Sequence, residues 1–140
     1  MTLSEHLRQK KEKIEKLLEW LAQEAAEGKP IVVEGKKDVE ALRELGVTGK
    51  MLTAKMGQKS LLDLVSEIED HQPREVILLL DFDRGGKGIA KRLRQILEKE
   101  GATPNTTFWR ELLSLVGRDV KDIEGLPAYI KTLKKKIGEA

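Results

Sequence analysis

Residues 76–86 read Val-Ile-Leu-Leu-Leu-Asp-Phe-Asp-Arg-Gly-Gly, and residues 31–39 read Ile-Val-Val-Glu-Gly-Lys-Lys-Asp-Val. The five apolar residues 76–80 leave no polar face, which is the pattern of a central strand covered on both sides. Ile31-Val32-Val33 is a shorter run of the same kind. Each run is followed at once by an acid, Asp81 or Glu34, and then by glycines and cations. Strands buried on both faces belong to parallel sheets, in which crossover helices cover the two sides.

Outward from these runs the pattern alternates between strand and helix. Residues 2–27 predict one long amphipathic helix, opened by Thr2 and Glu5 at capping-box spacing and ended by Gly28 and Pro30. Leu3, Leu7, Ile14, Leu17, Leu18 and Leu21 form its apolar stripe, and Glu5, Arg8, Lys11, Glu12 and Glu15 form a face expected to be solvated. We assign this helix a packing role and no chemistry. Strand 31–33 is then followed by a helix at 38–45, a strand at 50–54 and a helix at 60–69 with Leu61, Leu64, Val65 and Ile68 inward. Strand 76–80 leads into a helix over about 86–100, with Ile89, Leu93, Ile96 and Leu97 on one face. A short fourth strand is predicted at 106–109, and helices at 111–116 and 126–137 close the chain. The expected fold is α/β and Rossmann-like, an approximately four-stranded, mostly parallel sheet with helices on both faces. The expected organisation is an N-terminal helix (1–28), the α/β domain (29–108) and a C-terminal helical extension (109–140).

Composition narrows the function. The chain has 140 residues, the length of one ordinary domain, and 39% of them are hydrophobic. Its 26 Lys+Arg nearly balance 24 Asp+Glu, so an argument for a nucleic-acid partner must be local rather than rest on bulk charge. There is no cysteine, which excludes disulfides, thiolate zinc sites and cysteine nucleophiles. His6 and His71 stand apart in charged contexts and are expected to be solvated. No apolar run reaches the roughly 20 residues of a membrane span, and the first residues lack a signal-peptide core, so a cytoplasmic protein is expected.

The strand-end acids carry the chemistry. Open α/β sheets bind ligands at the carboxyl ends of their strands, where Glu34 and Asp81 both fall. Asp81 and Asp83 are two apart, a spacing that in extended backbone points both carboxylates the same way. Taken singly, Asp83 is more simply a helix cap and Glu34 a solvated loop acid. Together the three form a set of carboxylates without His or Cys, which suits a hard cation, Mg²⁺ or Mn²⁺, better than zinc. Lys36, Lys37, Arg84 and Lys87 surround them, and Gly35, Gly85 and Gly86 would let backbone approach a phosphate closely. Asp38 is expected to cap or enter its helix, with contact to a metal-bound water as an alternative. Gly57 is expected to serve backbone conformation first and phosphate contact second.

Residues 32–39 followed at this distance by residues 78–86 resemble the Toprim pattern, a strand-end glutamate and a later Asp-x-Asp. The resemblance covers residues 29–108. Toprim domains occur in bacterial primases, type IA and type II topoisomerases, ribosomal-RNA maturation nucleases, overcoming-lysogenization-defect nucleases and recombination-repair proteins. The whole chain, including Phe108-Trp109 and residues 120–127, is similar to the small stand-alone Toprim proteins found mainly in archaea. The resemblance implies that Glu34 and Asp81 bind one metal ion, that Asp81 and Asp83 bind a second, and that the glutamate acts as a general acid or base. The zinc-binding, helicase-binding and strand-gate parts of primases and topoisomerases are expected to have no counterpart in these 140 residues without cysteine, and full primase or topoisomerase activity is not expected. Tyr129, the one tyrosine, is expected to be a packing residue.

The reading that follows is metal-dependent chemistry on a nucleic-acid phosphodiester, nuclease, nucleotidyl-transfer or primase-like. Two Mg²⁺ ions roughly 3.5 to 4 Å apart would clamp the phosphodiester, with Mn²⁺ able to substitute. Lys36 and Arg84 would neutralise its oxygens, while Glu34 relays a proton. DNA and RNA, and hydrolysis, transesterification and nucleotidyl transfer, all fit this reading. The alternative from another class is a non-catalytic RNA- or DNA-binding module with the same fold. A haloacid-dehalogenase-like phosphatase also places Asp-x-Asp after an apolar strand, but Arg84-Gly85-Gly86 departs from its pattern and Asp119 and Asp122 read as helical. A P-loop at residues 85–88 is rejected because Lys87 lacks the following Ser or Thr.

Overall fold

A computed structural model describes residues 1–55 and 60–139. The chain runs α1 (Leu3–Ala26), β1 (Ile31–Val33), α2 (Lys36–Glu44), β2 (Met51–Thr53), α3 (Leu61–Asp70), β3 (Glu75–Leu79), α4 (Arg84–Lys99), β4 (Thr103–Asn105), α5 (Thr107–Val116) and α6 (Leu126–Lys136). The four strands form one sheet in the order β2-β1-β3-β4, and every pairing is parallel. This is the expected α/β architecture with helices on both faces.

Side-chain alternation divides the sheet between two cores. Ile31, Val33, Ile77 and Leu79 point into a layer with α1, α5 and α6, whereas Val32, Val76, Leu78 and Leu80 point into a layer with α3 and α4. That division explains why β3 is apolar at successive positions: each face needs its own apolar residues. Thr2 caps α1 as its spacing implies, its hydroxyl accepting the Glu5 N–H while the Glu5 carboxylate accepts the Thr2 N–H.

Three expectations are corrected. The fourth strand lies at Thr103–Asn105, and Phe108 and Trp109 belong to α5 instead. The Asn105 side chain accepts the Thr107 N–H at 2.8 Å and turns the chain into the helix, and Pro104 is tolerated because β4 is an edge strand. Phe108 is fully buried and meets Trp20 at 4.5 Å between ring centroids, so its aromatic character serves helix packing. On α1, Lys11 is buried rather than solvated, its ammonium 3.0 Å from Glu15 and 2.7 Å from Glu139. Leu3, placed on the apolar stripe by its spacing, is exposed.

Leu78 and Leu62 separate the two kinds of leucine in this fold. Leu78 has no exposed surface and Leu62 is 72% exposed. Leu78→Ala is expected to lower unfolding stability by about 2–5 kcal/mol, and Leu62→Ala by no more than about 0.5 kcal/mol. Urea denaturation of the two variants beside the wild type measures both.

Candidate metal centre

Pairing of β1 with β3 sets the geometry. Val33 is in register with Leu79, so Glu34 emerges beside Leu80 and Asp81 emerges just beyond it. Glu34 is only 6% exposed. Its Oε1 accepts the Asp81 N–H at 3.4 Å, and its Oε2 lies 3.3 Å from Lys55 Nζ. Asp83 is the N-cap of α4, with Oδ1 accepting the Gly86 N–H at 2.8 Å. The capping role and membership of the acidic group therefore coexist in one residue. Glu34, Asp81 and Asp83 each offer a carboxylate oxygen, and these oxygens lie within 4.8 Å of one another.

One atom in this group stands out. Asp81 Oδ1 is buried and, among the described residues, has no hydrogen-bond partner. A buried acceptor without a donor is costly, and a like-charged neighbour adds to that cost. Burial, and then the adjacent Glu34 carboxyl, push the Asp81 carboxyl up to about 8, and the charges of Asp38 and Asp122 act in the same direction. A divalent cation would answer both demands, supplying the missing partner and the missing positive charge. The all-oxygen donor set fits a hard cation.

Residues 29–110 match the Toprim domain. The chain belongs to the Toprim family. Toprim domains bind divalent metal and act on nucleic acids, and the three acids lie inside the matched span. A UPF0292 protein of Methanocaldococcus jannaschii is 37% identical over 119 residues, covering 85% of this chain and 91% of the relative. A UPF0292 protein of Methanosarcina barkeri is 33% identical over 138 residues, covering 99% of this chain and 94% of the relative. A solved protein structure from Aquifex aeolicus superimposes with a TM-score of 0.64 at 27% identity, covering 78% of this chain and 94% of that one. The resemblance to small archaeal Toprim proteins thus extends over nearly the whole chain.

Around the Toprim acids the structure adds groups that sequence reasoning missed. Lys55, just past β2, reaches Glu34 because its own N–H bonds the Glu34 carbonyl at 2.8 Å and continues the sheet register. Residues 117–125 are turns and bends, not helix, and they fold back over the strand ends. The Phe82 N–H donates to the Lys121 carbonyl at 2.7 Å, and Asp38 Oδ1 accepts the Glu124 N–H at 2.9 Å. Asp38, Asp122 and Glu124 thereby form a second group of acids whose oxygens lie within 4.8 Å of each other. Asp38 also accepts the Gly35 N–H at 3.0 Å, so it does serve the start of its helix, which begins at Lys36. Burial is the main influence holding the Asp38 carboxyl above its ordinary range. The available sequence signal for this second group was Asp122-x-Glu124 ahead of Gly125-Leu126-Pro127, a turn and a helix start.

The remaining expected site residues separate. Lys36, Arg84, Lys87 and Gly85 are exposed near the strand ends, and Lys37 lies 3.9 Å from Glu124. Gly86 is buried, and a Cβ there would lie 2.0 Å from the Asp81 carbonyl oxygen, so glycine lets helix α4 pack against the strand end. Gly57 lies outside the described residues. Tyr129 is half-buried, with its hydroxyl donating to Asp119 at 3.0 Å, in keeping with a packing role.

Two outcomes follow for the metal-free protein. Asp81 has a folded pKa near 8, against an unfolded value of about 3.9. Its protonation therefore favours the folded state, and that contribution is complete below about pH 4 and lost as pH rises to 8. Asp81→Asn should accordingly melt higher than wild type in EDTA, by a margin that widens between pH 5 and pH 8. Thermal melts across that range measure the margin, and a margin independent of pH would contradict the assignment. Gly86→Ala should displace the Asp81 backbone and lower the melting temperature, whereas Gly85→Ala, with open surroundings apart from Asp83, should have a small effect.

Proposed function

We propose that this Toprim protein carries out Mg²⁺-dependent chemistry at a nucleic-acid phosphodiester, with Glu34, Asp81 and Asp83 as the metal-holding acids. The observation that carries this reading is the buried, partnerless Asp81 Oδ1 between two further carboxylates at the carboxyl edge of the sheet. Glu34, Asp81 and Asp83 would hold two Mg²⁺ ions, for which Mn²⁺ would substitute. A bound divalent cation supplies Lewis-acid stabilisation of negative charge on phosphoryl oxygens.

The chain's own groups supply the rest. Lys36 at the first position of α2 and Arg84 at the first position of α4 are exposed beside the pocket and offer charge-assisted hydrogen bonds to non-bridging oxygens. Glu34 is placed to take up or release a proton at its carboxylate, with the Lys55 ammonium 3.3 Å from its Oε2. Asp83 keeps its carboxylate fixed through the cap on α4, which limits the reorganisation needed when a ligand arrives.

The Lys55 contact also favours a second reading. With its Oε2 already 3.3 Å from the Lys55 ammonium, Glu34 is placed as a metal ligand rather than toward a substrate proton, and the same pocket then serves a binding module without turnover. Incubation with single- and double-stranded DNA and RNA in Mg²⁺ or Mn²⁺ distinguishes the two. Metal-dependent product that disappears with Glu34→Gln supports the enzyme, and metal-dependent binding without product supports the module.

Metal binding itself is tested by thermal shift. A cation bound only to the folded state at a hundredfold excess over Kd stabilises it by about 2.7 kcal/mol. Wild type should gain melting temperature with Mn²⁺, Asp81→Asn should gain much less, and Asp70→Asn, an exposed acid closing α3, should match wild type. Equal gains for wild type and Asp81→Asn would remove Asp81 from the ligand set.

A further inference from the structure

Helix α4 is single-signed over most of its length. Residues 84–97 carry Arg84, Lys87, Lys91, Arg92 and Arg94 and no acid, although acids and bases nearly balance in the chain as a whole. All five cations are exposed, and among the described residues none has an ion-pair partner. An ordinary solvated helix face mixes the signs, as α1 does with Lys10 on Asp119 and Lys11 on Glu15 and Glu139. Lys87, Lys91 and Arg94 follow at helical spacing and share one flank of α4. The helix begins at the Asp83 cap, so the row starts at the acidic pocket and leads away from it.

The row ends at a cleft of about 640 Å³ between α4, the edge strand β4 and the start of α5. Arg94 lines it from one side and Arg110 of α5 from the other. Of its two acids, Glu75 is already engaged by the Asn105 amide and by Lys29, which leaves Glu98 as a single counter-charge to two guanidinium groups. Arginine presents a planar fork of donors that matches a phosphate.

We propose that this cleft is a second phosphate-binding site, in which Arg94 and Arg110 hold one phosphate of a polynucleotide strand whose reacting bond lies at the acidic pocket. Lys87 and Lys91 carry the strand between the two. The inference rests on the nucleic-acid reading above and adds to it a route and an anchor. A row of cations calls for a linear polyanion, because an isolated anion uses only one end of it. Ten helical residues separate Arg84 from Arg94, an advance of about 15 Å, so an occupant must present several successive phosphates. A dinucleotide, with one internucleotide phosphate, reaches one site only.

The test is fluorescence anisotropy with the full chain and fluorescein-labelled oligothymidylates and oligouridylates of two and twelve nucleotides, in Mg²⁺, at several salt concentrations. Wild type should bind the longer oligonucleotide more tightly. In the double variant Arg94→Ala/Arg110→Ala, twelve-nucleotide affinity should fall about tenfold or more and its salt slope by roughly 0.7, the value for one lost phosphate contact on a single strand, while two-nucleotide affinity stays unchanged. Arg94→Lys/Arg110→Lys should restore the slope and only part of the affinity, which separates lost phosphate contact from misfolding. Unchanged twelve-nucleotide affinity in the alanine variant overturns the anchor while leaving the acidic-pocket reading standing. Failure of wild type to bind either length overturns both. Inorganic phosphate is titrated as a competitor, and displacement of the twelve-nucleotide probe at micromolar phosphate would make the cleft a small-anion site and overturn the strand.

Discussion

Parallel pairing of β1 with β3 is the contact on which this structure depends. Ile31–Val33 of β1 and residues 76–79 of β3 are buried on both faces, so neither run can hold a charge, and going forward the first position open to an acid is the strand end. The register of Val33 with Leu79 then brings Glu34 and Asp81 to the same place. A slip of one residue would turn every apolar side chain of a strand toward the opposite core layer, which is why the two cores hold the acids in place as firmly as any direct contact.

The acids are set against the stability of the fold. Lys55 offsets part of the charge on Glu34, and two backbone N–H groups satisfy Asp38. Asp81 Oδ1 receives no such help, and the shift of that carboxyl to about 8 is the physical expression of the shortfall. Polar groups left unsatisfied in a core are rare, and their natural setting is a site that waits for a ligand.

Much of this was legible in the order of residues. The all-apolar run before Asp81 announced a central strand, the acid after each run announced the edge of the sheet, and helix α1 announced its own cap through Thr2 and Glu5. What stayed hidden had one physical origin, side chains whose partners lie far away in sequence. Lys11 reads as solvated until Glu139 is beside it. Phe108 and Trp109 read as a strand until Trp20 and the Leu80 carbonyl are seen to receive them from a helix. Asp119 and Asp122 read as helical because nothing local reveals the Phe82 N–H that the Lys121 carbonyl accepts. Gly86 reads as a place of close approach, and the backbone of Asp81 lies against it.

The bond from the Glu124 N–H to Asp38 closes a loop of 86 residues and joins a segment beyond the matched Toprim span to the first helix within it. Loop-closure entropy grows only with the logarithm of loop length, so a contact this distant in sequence costs little more to close than one half as far away. One wall of the acidic edge is thus supplied by residues 121–125, outside the matched span, and the surroundings of Asp38 and Asp81 belong to two parts of the chain at once.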